Sequence, residues 1–313
     1  MEKTKVKKRA QSLLCIIVAV AMLTVTGCGN SSLSIDENIA ETSQYLLQEV
    51  ESPGVSSVGG EWSVIGIMNS QIDDESKDTY ASRYFDSVIA QVKSKKGILD
   101  EEHYTEYARV SMGLAAIGED PTDVEGYNLV SYLDDYDKIR EQGINAAAYA
   151  LVASQMSGVK LTNEEKYIQF ILEEMKEYDG TAVVMSDYVS MGILALSYYK
   201  ERDDVSSMIE QKIDELSKAQ MEDGSMGNCE STSEAIIALN SAGVDVTTDE
   251  RFVKNEKSLL DGLLTYKKDS GYLHVTGDEN NEDINIMATE KALLALESIK
   301  AFDDGTCIYK SKR

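Results

Sequence analysis

Proline is nearly missing, with two residues in 313, which excludes a Pro-rich stalk. Histidine also occurs only twice, so no His-rich metal centre can be built. Basic residues are outnumbered 30 to 55 by acids, a net charge of −25. Nucleic-acid binding, which needs clustered Lys and Arg against phosphate, is thereby disfavoured as a class. Four cysteines are too few for a disulfide-stapled scaffold. What is present is a chain 42% hydrophobic, enough for a real core and against wholesale disorder. Its length suits one large domain or two small ones.

The first segment reads as an address. Lys3, Lys5, Lys7, Lys8 and Arg9 precede an apolar run from Leu13 to Leu23. That run is shorter than the about 20 residues a spanning helix needs, so the pattern is that of a secretory signal. Its ending, Val25-Thr26-Gly27-Cys28, resembles the lipobox of bacterial lipoproteins. The resemblance implies cleavage before Cys28 and a lipid anchor on it, diacylglyceryl and palmitate, holding the chain to the outer face of the cell membrane. The expected organisation is a signal peptide at 1–27, a tether at 28–34, a helical domain at 35–302 and a tail at 303–313. Loss of the signal removes five basic residues and one acid, deepening the net charge from −25 to −29. Two cysteines, Cys229 and Cys307, remain beyond the anchor. An oxidising compartment permits them to pair, but spacing alone leaves the disulfide open.

Internal repeats organise the rest. Gly118-x-Asp120-x-Thr122-x-x-Glu125 matches Gly243-x-Asp245-x-Thr247-x-x-Glu250, and Gly158, Thr162 and Glu165 form a third copy. Gly suits a left-handed helix cap, and Thr with Glu three residues on suits a capping box that starts the next helix. Before these joints lie helices rich in small residues, marked by Gly66-Ile67, Gly113-Leu114, Ala150-Leu151, Ala195-Leu196, Ala238-Leu239 and Ala295-Leu296. Small residues allow close backbone approach, so these six are expected inside. Charged helices such as Asn163 to Lys176 and Asp249 to Tyr266 are expected outside, with the helix from Ile35 to Val50 as the sixth outer member.

Gln220-x3-Gly224-x-Met226, followed by the run from Ser233 to Gly243, resembles the QW repeat of the squalene cyclase and protein prenyltransferase superfamily. The resemblance covers about residues 35 to 300. It implies an all-α fold, an α/α toroid of about six inner and six outer helices, with short turns or a small hairpin between repeats. The superfamily includes the helical domain of intrinsic factor and transcobalamin, so a corrinoid ligand is one implication. In those proteins a second, β-rich domain completes the site, and here a second protein would have to supply it.

Chemistry is less legible. The cyclase acid motif has its nearest match in Asp134-Asp135-Tyr136-Asp137, in the wrong order and on a charged stretch. Asp223, Cys229 and His274 lack the prenyltransferase zinc spacing, and Cys229-Glu230-Ser231 lacks the Gly and Gln of a thioester. No catalytic residue, metal or cofactor is therefore assigned. Glu61, Glu106, Asp187, Glu230, Glu234 and Glu290 fall at or near inner-helix starts, where carboxylates favour the helix dipole. Trp62, Tyr104, Tyr107, Tyr149 and Tyr188 fall on or near the same helices. Trp62, Tyr188 and Glu234 are the expected ligand contacts. The expected function is a lipid-anchored extracytoplasmic binding protein holding a small molecule or glycan at the mouth of the toroid. The alternatives are a secreted glycan hydrolase or lyase, less so a terpene cyclase-like enzyme, or a structural adaptor.

Metabolic labelling with a fatty-acid analogue should mark the wild-type protein and leave Cys28→Ala unlabelled; equal labelling of both would remove the anchor.

Overall fold

The computed structural model describes residues 33–277 and 283–310. The signal segment, Cys28 and most of the tether therefore lie outside the described residues, as do 278–282 of the acidic loop that ends at Asp283.

The all-α expectation holds: the described residues form twelve α-helices and one two-stranded hairpin. Six small-residue segments become helices α2 (Glu61–Asn69), α4 (Thr105–Ile117), α6 (Ile144–Ser157), α8 (Ser186–Leu196), α10 (Cys229–Ala242) and α12 (Ile286–Asp303). Each packs against the next, and α12 packs back against α2, so their contacts run in a closed cycle. These six are buried on nearly all sides: α6, for example, hides Ala146, Ala147, Ala148, Ala150 and Ala153 along with its larger residues.

A second set lies outside the cycle. It comprises α1 (Ile35–Glu49), α3 (Asp74–Lys95), α5 (Tyr136–Glu141), α7 (Glu164–Glu177), α9 (Asp203–Ala219) and α11 (Leu259–Leu264). α7 and α9 pack in the seams between successive inner helices, and α1 packs on α12 and α2. The helix expected to close the count from the N-terminal side does so. α7 and α9 are amphipathic: α9 turns Val205, Ile209, Ile213 and Leu216 inward at helical spacing.

The outer layer departs from expectation between Asp249 and Tyr266. That stretch is not one charged helix. It holds a 3-10 turn at Glu250–Phe252, a tight Lys254–Lys257 turn and the six-residue α11. Asn255 and Glu256 both take positive φ, 48° and 64°, which reverses the chain before a helix can propagate. Val124–Tyr127 makes the same turn with Glu125 and Gly126 at 54° and 84°. The capping boxes expected at the joints are also absent. Thr122 N and Oγ1 donate to Asp120 Oδ1 at 2.9 and 2.6 Å, and Thr247 repeats this on Asp245 at the same distances. The shared Asp-x-Thr is therefore an Asx turn, which competes with helix for the same backbone groups. Thr162 instead meets Asp134 from 28 residues earlier, its N–H donating at 2.6 Å.

The glycine half of the joint stands. Gly118, Gly158 and Gly243 cap α4, α6 and α10 in the left-handed region. The N–H after each cap returns to the helix, as in Val244 N to Leu239 O at 2.9 Å. The QW-like turn is a staple: Gln220 Nε2 donates to Gly224 O and to Phe252 O, both at 3.0 Å, tying the end of α9 to the next outer segment. The expected turn before the last inner helix is a hairpin, β1 (Lys267–Lys268) and β2 (Gly271–Tyr272), with Tyr272 N donating to Thr289 Oγ1 of α12 at 3.0 Å.

Gly243 has φ 99° and no atom within 4 Å of where a Cβ would stand, so a side chain there meets backbone strain alone. Gly243→Val should lower unfolding free energy by about 1 kcal/mol or more in a denaturant titration.

Candidate functional site

The cycle gathers the N-terminal ends of the inner helices around one cup of about 340 Å³. Its walls are built from residues one helical turn apart: Thr105 and Arg109 of α4, Asn145 and Tyr149 of α6, Asp187 and Met191 of α8, Glu230 and Glu234 of α10, Met287 and Lys291 of α12. Trp62 of α2 and Ser57 complete it. Positions i and i+4 share a helix face about 6 Å apart along the axis, so the cup has a rim layer and a deeper one. A larger groove of about 490 Å³ runs between α5 and α7, but it is an open surface feature where the inner helices do not converge.

The deeper layer holds two polar groups of side chains, one around Glu234 and one around Glu61. Lys291 Nζ donates to Glu234 Oε1 at 2.6 Å and lies 3.8 Å from the centre of the Trp62 ring. Tyr149 OH donates to the same Glu234 oxygen at 3.4 Å, and its ring lies 5.3 Å from that of Trp62. Arg109 Nε meets Glu61 Oε2 at 3.2 Å, and Tyr84 OH donates to Glu61 Oε1 at 3.2 Å. Glu61 is wholly buried, and burial lifts its carboxyl to about 7 against the pull of Arg109.

On the rim, Glu230 Oε2 pairs with His274 Nδ1 at 2.7 Å, while His274 O accepts from Cys229 N at 2.9 Å. Asp187 makes no ion pair among the described residues, and its Oδ1 is buried without a hydrogen-bond partner. Burial raises the Asp187 carboxyl and the charge of Glu234 adds to the rise, outweighing a hydrogen bond from Ser231. Asn145 Oδ1 is likewise buried with no donor.

Two of the three expected contacts meet here, Trp62 and Glu234. Tyr188 does not. It is 43% exposed, and its ring lies 5.4 Å from that of Tyr178, tilted by 32°, on the outside. One residue is a 100° turn of helix, so Asp187 faces the cup and Tyr188 faces away. Trp62 is 5% exposed with one face taken by Lys291, which makes it a wall and a seat for that cation rather than an open stacking platform. Glu106 meets Gln91 and Lys95 outside the cup. Tyr104 and Tyr107 join Tyr132 in a separate aromatic cluster. Asp134 and Asp135 do structural work, binding Thr162 and capping α5.

The disulfide is not formed: Cys229 and Cys307 are both free. Cys229 Sγ sits 3.5 Å from Ala288 O at the start of α12, whereas Cys307 follows that helix's far end. At 1.5 Å per residue, a helix of this length separates them by roughly 20 Å. Among the described residues no group of three His, Cys, Asp or Glu could hold a metal ion.

Sequence reasoning missed Arg109, Asn145 and Lys291. Lysine in the middle of an otherwise Ala- and Leu-rich helix was the available signal. The described part of the expected tail, 303–310, packs against the helices. Tyr309 is 1% exposed and its carbonyl accepts from Tyr198 OH at 2.6 Å, while Ile308 O accepts from Asn69 at 3.4 Å. Asn69 ends α2, so the tail enters where the inner helices finish. Burial raises the Tyr309 phenol, and the charge of Glu234 adds to the rise.

No protein-family model matches the chain, and no curated protein does. No helix of the described residues is long and apolar enough to cross a membrane.

Glu290 bridges α12 and α2. Its Oε1 accepts from Gly59 N at 3.0 Å and from the Ser63 hydroxyl, its Oε2 has no partner, and burial lifts it to about 7. Glu61 and Glu297 are raised to the same value. A carboxyl raised by folding binds its proton more tightly in the native state. The stability it contributes is full below its unfolded value near 4.5 and is lost as pH climbs through about 7. Unfolding free energy should therefore fall between pH 5 and 7, and Glu290→Gln should flatten part of that fall, by on the order of 1 kcal/mol.

Proposed function

We propose that the protein is a lipid-anchored extracytoplasmic binding protein that holds a small molecule or a glycan unit in the cup. The helix cycle, on this reading, is an α/α toroid akin to the squalene cyclase and protein prenyltransferase superfamily. The observation that carries the binding reading is the cup itself: a concave site framed by all six inner helices, with Trp62, Tyr149, Met191 and Met287 beside fixed polar groups. The polar groups are held before any ligand arrives, Glu234 by Lys291 and Arg109 by Glu61, which reduces the ordering cost of binding. A volume of about 340 Å³ favours a ligand of one or two small rings over a buried corrinoid, which would have to lie across the rim.

A hydrolase reading keeps one supporting observation. Asp187, raised by burial, shares the mouth with Glu234, an arrangement in which two carboxylates differ in environment.

Calorimetric titration of the domain with cell-wall saccharides should show saturable binding. Met191→Trp, which fills the cup, should weaken it at least tenfold, and Tyr188→Ala, outside it, should leave it within twofold. Equal affinity of Met191→Trp and wild type would place the site elsewhere. Product masses that change on incubation, and cease to change in Asp187→Asn, would promote the hydrolase.

A further inference from the structure

We infer that the ligand held in the cup carries a primary ammonium group, bound on the side where Asp187 and Asn145 stand. The inference rests on the proposed binding role and follows from the charges and hydrogen-bond donors of the lining.

Every cation of the cup is already committed. Lys291 serves Glu234 at 2.6 Å and the Trp62 ring at 3.8 Å. Arg109 serves Glu61, which is buried behind the wall, at 3.2 Å. Neither is left to receive an anionic ligand without breaking a buried pair, a loss that costs several kcal/mol. Glu230 has His274. With Glu61 included, four carboxylates face two permanent cations, and Asp187 is the one with no ion pair among the described residues.

The hydrogen-bond count points the same way. Asp187 Oδ1 and Asn145 Oδ1 are acceptors on adjacent helices, α8 and α6, and neither oxygen has a hydrogen-bond partner, with only the neutral hydroxyls of Ser231 and Ser186 as donors near Asp187. An unmet buried acceptor is costly, so a ligand that brings N–H groups to these side chains satisfies what folding left unpaired. A carboxylate or phosphate would bring more acceptors to a place already short of donors. A quaternary ammonium would match the charge but offer no N–H. A primary ammonium offers three donors in one compact group. The ring of Tyr149 and the thioethers of Met191 and Met287 suit the carbon body attached to it.

The test is calorimetric titration of the folded domain with glucosamine, glucose, 1,5-diaminopentane and inorganic phosphate, on wild type and Asp187→Asn. Glucosamine and glucose differ only at C2, an ammonium against a neutral hydroxyl, so their comparison isolates the charge and the extra donors. The inference expects glucosamine to bind at least tenfold tighter than glucose, diaminopentane to bind, and phosphate not to bind. Asp187→Asn keeps the shape of the side chain and should erase the preference for glucosamine over glucose. A thermal melt confirms that the variant is folded, and Asp187→Ser serves if it is not. Glucose binding as tightly as glucosamine, or an equal loss of both in Asp187→Asn, would overturn the ammonium assignment and leave the binding role standing. Phosphate binding would overturn it in favour of Arg109 and Lys291. Absence of binding by all four, with cell-wall saccharides still bound, would sink the inference and leave the proposed function standing.

Discussion

Everything in this molecule depends on six inner helices standing close enough for the last to meet the first. The closeness is steric. A Cβ on Gly66 would stand 2.8 Å from Leu293 Cδ2, at the α2–α12 contact that closes the cycle. A Cβ on Gly113 would stand 2.5 Å from Tyr84 Oη, and one on Gly192 2.5 Å from Met175 Sδ, where outer helices press on the inner ones. Side chains at these points would push helices apart, and small displacements at each contact would add up around the cycle until α12 no longer reached α2. Close packing of this kind tolerates few voids and few insertions. Glu290 secures the same seam with polar bonds to Gly59 and Ser63, and Cys229, at the head of α10, reaches the head of α12.

The cup is a consequence of that closure. Six helices that run the same way around an axis bring their N-terminal ends to one mouth, and residues at helical spacing then face one another across it. Helix starts carry partial positive charge, which suits the carboxylates of Asp187 and Glu230 in their first turns. One turn deeper the charges meet in pairs, and the aromatic pair of Trp62 and Tyr149 walls them in. Beyond α12 the chain returns to the helices: Tyr309 is buried and its carbonyl accepts from Tyr198 OH, just past α8. The acidity of the surface and the acidity of the cup are different matters. On the surface it gives solubility. In the cup it is a local shortage of donors beside Asp187.

Buried carboxylates stand on α2 and α12, and they carry a cost. Glu61, Glu290 and Glu297 are each pushed to about 7 because the protein has removed their water without fully replacing it. Hydrophobic residues would hold these helices with less penalty. What the carboxylates provide is direction. Glu61 fixes Arg109 and Tyr84, and Glu290 fixes the chain entering α2, so the wall of the cup has defined positions for its charges.

The amino-acid sequence by itself determined the helical class, the six small-residue stretches that became α2, α4, α6, α8, α10 and α12, and the glycine caps at Gly118, Gly158 and Gly243. These are local properties. Periodicity, propensity and the steric freedom of glycine act over a few residues and can be read without knowing what lies nearby. The turn chemistry at Asp120-x-Thr122 was local too, but two local structures compete for the same letters, and the Asx turn won over the capping box. Only the tertiary structure decided which side of each helix meets the axis. Periodicity fixes the spacing of a face and not its rotation relative to neighbours, which is why Asp187 lines the cup and Tyr188, one residue on, does not. The pairing of Lys291 with Glu234, the distance between Cys229 and Cys307, and the burial of Tyr309 belong to the same category. Each joins residues tens to hundreds of positions apart, and the energy that selects them exists only once the helices have closed around their common axis.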